Sequence, residues 1–181
     1  MARQLAMRVL EHRRHSRREP GTPHLSTEGV ALARRVAGTI GRFDRVVTSP
    51  KHRAVETAEA LGFRVDATIA ELAEMPDDAG LPDDSLGRHT FAEYVRGIAR
   101  SRAMANYARR QADLMRRELE RLPEDGRLLL ISHAGVIEFG AASACPKEAR
   151  TWGDPLAPLE GVRLSLRRGS WVRGEVLRLH E

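Results

Sequence analysis

The sequence predicts an α/β fold: a three-layer sandwich whose mostly parallel central sheet is flanked by helices, with an antiparallel hairpin at the C-terminus. Three observations carry this. Short apolar runs alternate with amphipathic helical stretches, the pattern of strands packed under helices. Arg127–Ser132 (RLLLIS) sets four apolar residues in a row ahead of a glycine and a helical stretch, as a strand buried on both faces does. Val162–Leu166 and Trp171–Leu179 alternate about Arg168, Gly169 and Ser170, which reads as a hairpin.

Taken in chain order, Leu5–Glu11 reads as the first strand, followed by a polar loop over Arg13–Leu25. Ser26 or Thr27 can cap a helix running to about Ile40, with Val30, Ala33, Val36, Ala37 and Ile40 on one face. Asp44–Thr48 is a short buried strand. Ser49 and Pro50 then suit a helix start, serine at the cap and proline where a missing N–H costs nothing, and Gly62 suits its stop. Arg64–Ala67 is a further short strand. Met75–His89, rich in Asp, Gly and Pro, reads as a linking loop too short to divide domains. Phe91–Leu122 is helical, with a break near Gly97. Its second half places Ala108, Ala112, Met115, Leu119 and Leu122 on one stripe. No repeat appears, and 181 residues suit one domain spanning the chain.

Hydrophobic residues make up 41% and charged residues 30%, which fits a globular protein and excludes a disordered one. No apolar run approaches the ~20 residues a bilayer crossing needs. Arg8 and Glu11 interrupt the N-terminal apolar stretch, so it lacks the core of a signal peptide, and a cytoplasmic location is expected. The single cysteine, Cys145, excludes an internal disulfide and suits a small packing residue. The net charge of +5 would suit phosphates or nucleic acid. The basic residues are spread along the chain, however, and no aromatic-rich basic strand offers bases a stacking surface. The expected partner is a small phosphorylated molecule, with neither nucleic acid nor membrane.

In α/β sheets ligands bind beyond the carboxyl ends of the strands. The first strand is followed by Arg14, His15 and Ser16, then Arg18. The second is followed by Ser49 through Arg53, and the central strand by His133, Ala134 and Gly135. Singly, each such residue is more often structural or solvated. Two histidines and three arginines at the ends of three strands point instead to phosphoryl chemistry. Arginine offers a phosphate planar donors that stay charged. Arg53, in a first helical turn, would add free N–H groups and the helix dipole. A neutral imidazole can attack phosphorus and split hydrolysis into two steps, and a second can stabilise the developing charge.

Four blocks carry a resemblance over about Met7 to Gly140: Arg14-His15-Ser16 with Arg17, Arg18, Glu19 and Pro20; HLSTEGVALARRVA; TSPKHRAVETAEAL; and LLLISHAGV. In this order they resemble the histidine phosphatase superfamily, also called phosphoglycerate mutase-like. The resemblance implies a phosphohistidine on His15, phosphate binding by Arg14, Arg53 and His133, a further phosphate-binding arginine at Arg18, and no metal or cofactor. Ser16 stands where the family pattern has glycine. Glu11, His12 and Arg13 stand where it has an apolar strand end, which would shorten the strand or shift its exit. The family's Gly-Trp-Glu-Gly neighbourhood is absent, and Glu74 best matches its catalytic acid, with Glu71 as the alternative.

His12, His24, His52, His89 and His180 carry no motif and read as surface or loop residues. Neither His15 nor His133 has a carboxylate at metal-ligand spacing. No Gly-x-Ser-x-Gly elbow accompanies Ser132, which argues against a serine hydrolase. Trp152 and Trp171 read as packing residues near the hairpin. The leading expectation is a phosphomonoester hydrolase. A phosphoglycerate mutase would be expected in a longer chain with added segments, and a non-catalytic phosphate-binding protein would be expected to lack His15.

Overall fold

The computed structural model describes residues 6–73, 75 and 87–179. The apolar run Arg127–Ser132 forms β4, buried from Leu128 to Ser132, and the sheet is built around it. β4 lies between two parallel neighbours, β1 (Arg8–Arg14) and β2 (Arg45–Thr48). β2 also pairs in parallel with β3 (Ala67–Thr68). On the other side β1 pairs antiparallel with β5 (Gly161–Arg167), which turns back into β6 (Ser170–Leu177). The order across the sheet is β3-β2-β4-β1-β5-β6. The four strands that carry helical crossovers are parallel, and the hairpin supplies the antiparallel edge, as predicted.

Alternation along the strands sends side chains to two faces. Leu10, Val47, Leu128, Leu130, Val162 and Leu164 pack into a core with α3 (Phe91–Arg100), α4 (Arg102–Glu120) and α5 (Val136–Ala144). Val46, Leu129 and Ile131 pack with α1 (Thr27–Ala37) and α2 (His52–Ala60). This gives the predicted three layers. The stripe Ala108, Ala112, Met115, Leu119 and Leu122 is buried throughout. Cys145 is buried in the same core, and Trp152 packs edge-on against Phe91 with ring centroids 5.1 Å apart. Among the described residues no helix is long and apolar enough to cross a membrane.

The structure corrects the reading at several boundaries. β1 runs on to Arg14 instead of ending at Glu11, and Glu11, His12 and Arg13 are buried inside it. Each finds at least one partner remote in sequence. Glu11 pairs with Arg13 and with Arg163 of β5, both at 2.8 Å. His12 Nε2 lies 2.6 Å from the Ser132 hydroxyl, so this histidine belongs to the interior and not to the surface. Burial of such groups is tolerable only when they are paired in this way. α1 ends at Ala37, three residues short of Ile40, while Ser26 caps it as expected by accepting the Gly29 N–H. α2 starts at His52 with Lys51 at the cap, and Ser49 serves another purpose described below. The third short strand lies at Ala67–Thr68, shifted from Arg64–Ala67. The long helix breaks at Ser101, not Gly97: Ser101 is extended (φ −122°, ψ 120°), and its side chain caps α4 by accepting the Met104 N–H.

Candidate active site

Parallel pairing sets Arg14 opposite Ser132 and Thr48 opposite Ile131, so β1, β4 and β2 leave the sheet at one edge. The ladder continues one step past the strands. The His15 N–H donates to the Ser132 carbonyl at 2.9 Å, and the Ser49 N–H to the Ile131 carbonyl at 3.0 Å. His15 and His133 are thereby brought face to face, with ring centroids 5.1 Å apart and a tilt of 58°.

The tautomer of His15 follows from its neighbours. Nδ1 lies 2.7 Å from the Ser16 carbonyl, which can only accept, so Nδ1 carries the hydrogen. Nε2 is left with its lone pair and accepts from Arg53 Nε at 3.1 Å. Ser16 is itself held: its N–H donates to Thr57 Oγ1 at 2.9 Å and its hydroxyl to the Gly29 carbonyl at 2.7 Å. The hydroxyl in place of the family's glycine is therefore buried but satisfied. Gly29 must be glycine, because a Cβ there would lie 2.1 Å from the Arg17 carbonyl oxygen. Burial is the main cause that lowers the His15 pKa to about 4, and the Arg53, Arg14 and Arg18 charges act in the same direction. The imidazole is neutral at physiological pH.

Three guanidinium groups surround it. Arg14, at the last position of β1, donates to the Leu156 carbonyl. Gly87 (φ +82°) passes close above, where a Cβ would lie 2.8 Å from Ala134 Cβ and 3.6 Å from the Arg14 guanidinium. Arg53 reaches in from the first turn of α2. Its backbone N–H donates to the Pro23 carbonyl at 3.1 Å and is not free for an anion as the sequence suggested, which leaves the guanidinium as the group Arg53 can offer one. Burial, then the Arg18 and Arg14 charges, lower the Arg53 pKa. Arg18 is exposed, in a bridge with Leu25, near enough for its charge to act on both His15 and Arg53. A neutral base ringed by mutually repelling cations is an arrangement that an oxyanion relieves.

His133 Nε2 lies 2.7 Å from the Ser49 hydroxyl. Its Nδ1 is buried with no hydrogen-bond partner among the described residues. Burial, with the His15 and Arg53 charges next, pushes its pKa down to about 2. The turn carrying His133 is fastened by a residue the sequence reading passed over. Glu138 accepts the Gly135 N–H at 2.6 Å, fixing Gly135 at φ +85°. Glu138 is fully buried, and burial raises its pKa. Its spacing of three from Gly135, at the start of a helix, was the available signal. Ser49 and His12 had none, because their partners are remote in sequence. Glu74 lies outside the described residues. Of its sequence neighbours, Leu72 is fully buried and Met75 packs on the core. Glu71 is exposed on a single turn of 3-10 helix (Ala70–Leu72), away from any pairing with the histidines among the described residues.

Phosphoserine phosphatase from Entamoeba histolytica, solved with 3-phosphoglyceric acid, superposes with a TM-score of 0.69 at 20% identity, over 94% of this chain and 97% of that one. Phosphoglycerate mutase from Bacillus anthracis gives 0.66 at 12% identity, over 93% and 92%. Mycobacterial glucosyl-3-phosphoglycerate phosphatase gives 0.54 at 19% identity, over 94% and 97%. At these identities the likeness establishes a shared fold. No curated protein sequence matches the chain. The sequence profile of the histidine phosphatase superfamily (branch 1) matches residues 10–173, nearly the whole chain, and the protein belongs to that superfamily.

Proposed function

We propose that the protein is a metal-independent phosphomonoester hydrolase that passes the phosphoryl group of a small substrate through Nε2 of His15. The observation that carries this is the fixed tautomer: Nδ1–H held by the Ser16 carbonyl, Nε2 bearing a lone pair beside Arg53. In the first step the Nε2–P bond forms as the ester P–O bond breaks, and the leaving oxygen takes a proton from a carboxyl group, assigned to Glu74. In the second step water attacks phosphorus and gives its proton to the carboxylate left by the first step, the N–P bond breaks and inorganic phosphate leaves. Arg14, Arg18 and Arg53 hold the phosphoryl oxygens, and His133 faces the charge that develops on them. Chain length does not separate this reading from a mutase, since the mutase named above is matched over 92% of its own length. Transfer to water rather than to a second phosphorylated acceptor is what distinguishes them.

The test is release of inorganic phosphate from an aryl phosphate, and then from a panel of phosphorylated metabolites, with chelator present throughout. Turnover in chelator that His15→Ala abolishes is expected. Absence of turnover on every monoester, or activity that returns only with a divalent metal, contradicts the reading.

A further inference from the structure

A second group of side chains lies one residue from Arg53 and takes no part in the site above. His52 and Glu56 stand four apart on α2 and so share one face of the helix. The loop ahead of α1 lays His24 over them, with the His24 and His52 rings 4.7 Å apart between centroids and tilted by 36°. His24 Nδ1 is hydrogen bonded to Glu56 Oε1. One ligand atom from each of the three residues lies within 4.8 Å of the other two.

We propose that His24, His52 and Glu56 form a binding site for a divalent cation of the zinc class, at the rim of the phosphate site and separate from it. The donor set is the first reason. Two imidazoles and one carboxylate, with a fourth position open to water, are a set that zinc takes in preference to magnesium or calcium, which favour all-oxygen ligands. Distance is the second. Zinc–ligand bonds of about 2.0–2.2 Å at tetrahedral angles put ligand atoms roughly 3.3 Å apart. Reaching that from a spread within 4.8 Å takes only small rotations of side chains, two of which are solvent-exposed. The third reason is preorganisation. The second carboxylate oxygen, Glu56 Oε2, accepts the Leu25 N–H at 2.8 Å, which fixes the carboxylate as outer-shell partners of metal ligands do. On binding, the ion takes the place of the His24–Glu56 hydrogen bond.

The site would act as a clip. It joins the loop that carries Arg18 and Pro23 to the helix that carries Arg53, and the Pro23 carbonyl already accepts the Arg53 N–H at 3.1 Å. The ion is not part of the hydrolytic chemistry proposed above, and its binding is measured without reference to turnover.

The experiment titrates tag-free, chelator-stripped full-length protein with Co²⁺, read by its visible absorption, and with Zn²⁺ against a chromophoric chelator. Thermal unfolding is followed in parallel. One equivalent is expected to bind, with a Tm that rises with zinc concentration. Affinity should fall at least ~10-fold in His52→Ala and in His24→Ala and stay unchanged in His15→Ala. His52→Ala removes an exposed side chain, so its Tm without metal and its turnover in chelator should match wild type. Three results overturn the proposal: no saturable uptake, which leaves a simple His–Glu hydrogen bond; equal uptake by wild type and His52→Ala; or loss of uptake in His15→Ala, which would place the ion on the active-site histidines.

Discussion

Arg53 Nε lies 3.1 Å from His15 Nε2, so the guanidinium rests on the lone pair that the proposed mechanism uses for attack. The same contact orients the imidazole and reserves a place for the phosphate, whose oxygens would draw the guanidinium away as phosphorus approaches the nitrogen.

Replacing Arg53 by lysine keeps the charge and removes the planar fork. kcat/KM should fall about 10- to 100-fold, the weight of one charge-assisted hydrogen bond of about 1.5–3 kcal/mol. Steady-state kinetics on an aryl phosphate would show it. Full activity in Arg53→Lys would mean that the guanidinium geometry is unimportant.

The depressed histidine pKa values set two pH dependences. Protonation of free His15 ends catalysis, so the acid limb of kcat/KM, corrected for ionisation of the substrate, should fall near pH 4 and not near 6.5. Stability follows with a definite sign. Folded His15, His12 and His133 hold protons less tightly than the unfolded chain does, so between their folded values and about 6.5 the unfolded state binds more protons. Stability is therefore fully present above about pH 6.5 and falls as pH drops toward 4 and below. Denaturant unfolding at pH 7.5 and 5 should show this fall, and His15→Ala should show less of it. An equal fall in both proteins would mean that His15 does not carry this linkage.

Ser49→Ala removes the hydroxyl 2.7 Å from His133 Nε2. It leaves a buried imidazole without its partner, a loss of about 1–3 kcal/mol of stability. Turnover should fall roughly 5- to 10-fold with little change in KM, because a single neutral hydrogen bond of about 1 kcal/mol orients the ring. Unchanged stability would show that His133 finds another partner.

An alkoxide needs a proton to leave, whereas an aryl oxide does not. If Glu74 supplies it, Glu74→Gln should slow alkyl phosphates by about 10²-fold or more and aryl phosphates far less. Glu71→Gln should do little. An equal loss on both substrate types, or a loss confined to Glu71→Gln, would move the acid elsewhere and leave the histidine and arginine roles as they are.

The parts of the fold that were legible in the sequence are those fixed by local pattern. The run Leu128–Ile131 and the stripe from Ala108 to Leu122 can pack in few other ways, and both are buried as expected. The placing of Arg14, His15, Arg53 and His133 together followed from the rule that parallel strands end at one edge. What the sequence concealed depends on contacts between distant segments. Glu11 looked like the end of a strand because Arg163, which pairs with it alongside Arg13, lies 152 residues away. His12 looked solvated because Ser132 and Met115, which line its pocket, come from β4 and α4. Ser49 looked like a helix cap, a role its local sequence favours, but His133 competes for the hydroxyl and α2 starts later. His24 and His52 carried no motif because one lies on a loop and the other on a helix.

The phosphoenzyme is the central claim. Protein mixed with ³²P-labelled substrate and quenched in denaturant at alkaline pH during turnover should carry label that is stable in base and released by acid. Fragmentation should place it on the peptide containing His15, with no label in His15→Ala. Turnover without any labelled protein, or label retained by His15→Ala, would contradict a mechanism through His15.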